Sequence, residues 1–123
     1  MKFFDSLAPY VHWGLRLSIA ATFLYHAWGK LPPTGFSESM GLPLVVGWAV
    51  ALTEVAAGVL LIVGAFGKDV LTRLGGLCVI VIMLGAIFMV HLPKGWDVMA
   101  GGSEFQVLLL ACGLYFLARG NKV

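Results

Sequence analysis

A chain of 123 residues that is 60% hydrophobic and only 11% charged, with a mean hydropathy of +0.96, lies outside the range of soluble globular domains and within that of integral membrane proteins. Its net charge of +2 comes without a basic cluster or a stacking array, which excludes nucleic acid and leaves membrane lipids and other membrane chains as partners. No stretch is left over for a soluble domain, so residues 1–123 are expected to form one transmembrane domain.

Four apolar stretches are long enough to cross a hydrocarbon core, at about 9–30, 43–66, 69–92 and 104–119. They have helical length and lack the alternation of barrel strands. Because a backbone in lipid must satisfy its own hydrogen bonds, the expected fold is an all-α antiparallel bundle of four transmembrane helices. The first stretch carries Arg16 and no small-residue cleavage pattern follows it, so it reads as a retained helix rather than a signal peptide. Pro43 suits the first position of the second helix. Gly67, Lys68 and Asp69 make a tight turn, so the second and third helices should be antiparallel neighbours. Pro93 follows the third helix, and Ser103 with Gln106 reads as a capping box that opens the fourth.

Two outer connections are alike: LPPTGF at 31–36 follows His26, and LPKGW at 92–96 follows His91. The likeness hints at duplicated hairpins, although a shared need for Pro, Gly and an interfacial aromatic produces it without duplication. Lys2, Lys68, Arg73, Arg119 and Lys122 lie on one side of the spans, against Lys30 and Lys94 beside Glu38, Asp97 and Glu104 on the other. The positive-inside rule therefore places both termini in the cytoplasm. Cys78 and Cys112 fall within the third and fourth helices without CxxC spacing and read as reduced packing residues.

Helical rise gives each polar residue a depth. His26 falls near the outer end of the first helix, His91 at the outer end of the third and Glu104 at the outer start of the fourth. Glu54 falls about 15 Å inward from the outer start of the second. Each helix thus gives one ionisable side chain to the outer half of the bundle. Positions 12, 16, 19, 23, 26 and 30 advance along one face of the first helix, and four of them are His12, Arg16, His26 and Lys30. A face of that kind is not expected to look at lipid.

Simple readings suffice for most of these residues. Lys30 is expected to snorkel to the outer head groups and His12 to sit at the inner interface. Glu104 is either a first-turn carboxylate favouring the helix dipole or a site residue, and His91 is either interfacial or a site residue. Arg16 and Glu54 resist such treatment, because a charge near a helix centre costs about 2.5–3.5 kcal/mol on insertion scales. Either the two form an ion pair, or Glu54 is protonated, or it meets a histidine or a bound ligand. Around it, Gly47, Ala51, Ala57 and Gly58 permit close helix packing or leave room for a flat ligand.

These pieces together resemble the DoxX family of small four-helix membrane proteins. The matching segments are LRLSIAATFLYHAWGKL at 15–31 with Arg16, His26, Gly29 and Lys30; TEVAAGVLLIVG at 53–64 with Glu54 and Gly58; MLGAIFMVHLPKGW at 83–96 with His91; and GGSEFQVLLLACGLYFLARG at 101–120 with Glu104. The resemblance implies a protein of the bacterial cytoplasmic membrane, related to a subunit of thiosulfate:quinone oxidoreductase. The chain itself has no nucleotide-binding glycine loop, CxxC pair or CxxCH haem attachment site.

Three functions are compatible with this reading. In the first, the protein takes part in quinone-linked electron transfer, as a small subunit of a larger membrane redox complex. Glu54, His91, His26 and Arg16 are the candidates for proton exchange, and Glu54, His26, His91 and Glu104 for holding the quinone head. In the second, His26, His91, Glu54 and Glu104 hold a metal or haem, although the ExxH spacing of di-iron bundles is absent. In the third, the chain is a non-catalytic accessory or assembly subunit, in a complex or a homo-oligomer, whose polar residues set helix register. A transporter is less expected, because four helices leave little room for alternating access.

Overall fold

Every regular element is helical in the computed structural model, which describes all residues from Met1 to Val123. A short α1 (Lys2–Leu7) precedes α2 (His12–Gly29), and α3 (Thr34–Met40) lies between α2 and α4 (Leu44–Gly64). Then come α5 (Asp69–Ala86) and α6 (Glu104–Arg119). Without a break, α5 runs on into a π-helical turn, Ile87–His91, and a 3-10 turn, Leu92–Lys94; a second 3-10 turn, Val98–Ala100, sits in the loop before α6.

The four long helices, α2, α4, α5 and α6, each pack chiefly on the next in sequence. Glycines mark the seams and give their direction. Gly64 lies against Thr72 and Gly75 against Leu61, so α4 and α5 run antiparallel; Gly76 lies against Leu117 and Gly113 against Val79, so α5 and α6 do the same. Between α2 and α4 the contact is Gly58 on Ala20 and Leu24. Side chains from all four helices meet in one core of Ile19, Phe23, Ala57, Leu61, Val79, Met83, Leu109 and Phe116.

Outside this core the surface is apolar along the helices, with Leu17, Leu52, Val59, Leu74, Val81, Leu108 and Leu114 all exposed. A soluble domain does not turn such a continuous apolar surface to water. Two segments, Leu44–Gly64 and Asp69–Lys94, are long and apolar enough to cross a membrane. Cys78 and Cys112 are free thiols packed against the core.

Several local expectations change. The stretch between the first two long helices is not simply a loop: Thr34–Met40 is helical and ends at Gly41, whose positive φ of 66° suits glycine. It docks on α4 because Gly47 has no Cβ; one built there would run into the Ser37 hydroxyl. The first long helix begins at His12 rather than at residue 9, because 8–11 form turns after α1. Ser103 and Gln106 do not form a capping box: the Ser103 hydroxyl donates to Gly95 O at 3.4 Å instead, and Gln106 Oε1 is buried without a partner. The two outer connections that look alike in sequence fold differently, one as α3 and the other as 3-10 turns.

Candidate functional site

On α2 the buried stripe runs through Arg16, Ile19, Ala20, Phe23 and Ala27. A 3.6-residue helix drifts away from a strict alternation of threes and fours, so His26 falls off this stripe and is exposed, while Lys30 at the helix end comes back onto it.

Lys30 turns inward rather than outward. Its Nζ donates to both oxygens of Glu54, at 3.0 and 3.2 Å, and sits 5.1 Å from the centre of the Phe36 ring. The Glu54 side chain is 6% exposed and that of Lys30 20%. Phe36 comes from α3, so this helix helps cover the ammonium at the end of the bundle away from the chain termini. The expected snorkelling of Lys30 to the head groups is therefore replaced by a largely buried ion pair. For a charge held in a bundle, a direct partner offsets the desolvation that neither group escapes alone.

Arg16 is not the partner of Glu54. It is fully buried at the other end of the α2–α4 seam. Its Nη1 donates to Leu61 O and to Thr72 Oγ1 at 3.0 Å, its Nη2 to Asn121 Oδ1 at 3.1 Å and its Nε to His12 Nδ1 at 2.9 Å, while the guanidinium lies 5.0 Å from the Phe116 ring centre. Leu61 is seven residues beyond Glu54, or about 10 Å of helical rise. Its carbonyl is one of those a helix C-terminus leaves without an amide partner, so Arg16 places a cation where the dipole of α4 favours it. Asn121 extends the cluster: its Nδ2 donates to Gly64 O at 2.9 Å and its backbone N–H to Asp69 Oδ1 at 2.6 Å. Arg73 serves α6 similarly, donating to Leu117 O and Ala118 O at 2.8 Å each.

Beside Glu54 lies a cavity of about 270 Å³, walled by Lys30 and Glu54, by Phe36, Met40 and Leu42 on the α3 side, by Val50 of α4, and by Gly85, Met89 and His91 among others of α5 and its extension. The π turn ends on His91, which it brings to this wall. Single π turns of this kind are frequent at functional sites. His91 Nδ1 is 2.8 Å from Gly101 O. A carbonyl only accepts, so in the neutral ring Nδ1 carries the hydrogen and Nε2 is the basic nitrogen.

His26 lines a different space, a shallow open groove with Tyr25, Trp28 and Ser39. Lys30, Phe36, Met40 and Val90 are common to both walls. Glu104 lines neither; its Oε1 accepts from Val98 N at 2.7 Å and fixes the loop before α6. Of the four residues expected around a cofactor, the structure thus brings together Glu54 and His91, adds Lys30, and leaves His26 and Glu104 outside. No three His, Cys, Asp or Glu side chains converge as a metal-ligand set.

Antiparallel helices with an apolar exterior, and a largely buried ion pair beside a cavity between them, are the construction of a small helical membrane protein. The DoxX family profile matches residues 12–92, from the first residue of α2 through the π turn, and so takes in Arg16, Lys30, Glu54 and His91. The chain belongs to the DoxX family. No curated protein and no solved structure matches it.

Proposed function

We propose that this DoxX protein crosses the bacterial cytoplasmic membrane four times with both termini inside, and that it serves quinone-linked electron transfer as a small subunit of a larger redox complex. The observation that carries the proposal is the cavity in which Lys30, Glu54 and His91 meet. It joins an ammonium that donates, a carboxylate that accepts and an imidazole that can do either to apolar walls, a combination that suits the carbonyl oxygens of a quinone and the hydroxyls of its quinol. A quinone carries two electrons and two protons when reduced. The electrons belong to a partner subunit bearing a flavin or metal centre. This chain's own residues supply the rest: Lys30 Nζ donates to a carbonyl oxygen, the Glu54 carboxylate takes up a proton and hands it on, and His91 Nε2 passes protons onward. Arg16, about 10 Å further in by helical rise, positions the ends of α4 and α5 and takes no part in the exchange.

Purification from native membranes, with identification of every co-purifying chain and quinone, tests the proposal. Glu54→Gln should leave the complex assembled and lower its quinol turnover. If the complex assembles and turns over normally, the accessory reading replaces this one.

A further inference from the structure

The two helices that flank the cavity, α4 and α5, pack closely at one end and line a cavity toward the other. At the inner end α4 and α5 are clasped: a Cβ built on Gly64 would lie 2.6 Å from Thr72 N, and one on Gly75 would lie 3.1 Å from Leu61 N. Ten residues outward, a Cβ on Gly85 meets nothing within 4 Å. The cavity lies toward this end of the pair, its mouth between Val50 and Glu54 of α4 and Val81, Gly85 and Met89 of α5 and its extension. From the outer side, Phe36, Met40 and Leu42 wall it. Sideways, the wall residues Val81 and Met89 are 54% and 55% exposed and continue the apolar exterior of the bundle.

Resting on the quinone-site reading above, we infer that the occupant is a membrane lipid in form, a neutral hydrogen-bonding head on a hydrocarbon tail, which enters sideways from the outer leaflet through the α4–α5 mouth. Three observations choose this occupant. Lys30 and Glu54 cancel in charge, so a head without net charge is hydrogen-bonded without splitting the pair. The cavity, at about 270 Å³, holds a head but not a long chain. The opening past Val81 leads onto a surface already suited to acyl and isoprenoid chains, so a tail follows the groove inward while the head stays at Glu54. A water-borne ligand would instead come from the outer groove at His26 and Ser39 and would have to pass α3.

The experiment is photolabelling of the full chain in phosphatidylcholine nanodiscs by an azidobenzoquinone carrying a decyl tail, and by the same ring without a tail, with labelled peptides mapped by mass spectrometry. The tailed probe should label the α4 and α5 segments that wall the cavity. Val81→Trp, on an exposed face that tolerates bulk, should lower its yield about tenfold, while Val81→Ala and Ser39→Trp label like wild type. The tail-free ring should label poorly in every variant. If the tail-free ring labels the cavity as well as the tailed probe, and Ser39→Trp rather than Val81→Trp abolishes it, lateral access is overturned while the cavity remains a quinone site. If neither probe labels the cavity in the wild type, the quinone reading fails and this inference with it.

Discussion

Removal of Lys30 offers the sharpest test of how this bundle holds a buried carboxylate. Breaking a buried ion pair by deleting one partner typically costs about 3–5 kcal/mol, because the survivor is left charged and unpaired. Glu54 is the better buried member, at 6% side-chain exposure against 20% for Lys30. Lys30→Met should therefore cost about 3 kcal/mol, at the low end of that range because the adjoining cavity can admit water. Glu54→Gln leaves a lysine long enough to reach the outer interface, and should cost about 1 kcal/mol. The double variant should cost about 1.5 kcal/mol, which makes the pair coupled by about 2.5 kcal/mol. Unfolding by sodium dodecyl sulfate in mixed micelles, followed by circular dichroism, measures all three. The reasoning is refuted if the double variant costs the sum of the singles. The same cycle on Arg16→Met and Glu54→Gln should be additive within about 0.5 kcal/mol, because these residues sit at opposite ends of the α2–α4 seam.

The glycine seams make a second prediction. Gly76→Ala would bring a methyl within 2.6 Å of Leu117 N and 2.7 Å of Gly113 O, both backbone atoms that do not move alone. It should cost about 1–3 kcal/mol, whereas Gly85→Ala, with open space around it, should be neutral in the same assay. Orientation makes a third. In a background free of Cys78 and Cys112, Ser39→Cys should react with an impermeant maleimide in intact spheroplasts and Ser6→Cys only after lysis; the reverse pattern would invert the membrane topology.

Much of the scaffold was legible because long apolar runs and their punctuation act locally. The fourth helix, Glu104–Arg119, and the start of the third at Asp69 fall where the sequence puts them. α3 was not legible, because Thr34, Gly35, Ser37 and Ser39 are weak helix formers and the segment is held by docking on α4 at Gly47. Without α3 as an outer cover, Lys30 seemed free to reach the head groups, and Glu54 was left to choose among Arg16, a histidine and a ligand. The depth of Glu54 by helical rise is informative by itself, since Arg16 lies fourteen residues, about 21 Å, from residue 30 at the far end of its own stretch, against about 15 Å for Glu54. What it lacked was the direction of the Lys30 stem. The π turn was also hidden, since nothing in IFMVH distinguishes it from an ordinary helix, yet it decides which way His91 faces.

The clasp of α4 and α5 at Gly64 and Gly75 makes the cavity a matter of leverage. Gly85 stands ten residues, about 15 Å, beyond Gly75 along the helix, so a 5° rotation of α5 about the clasp moves the mouth by about 1.3 Å. Residues that crowd the inner turn, far from Glu54 and touching no ligand, thereby set the width of the crevice above them.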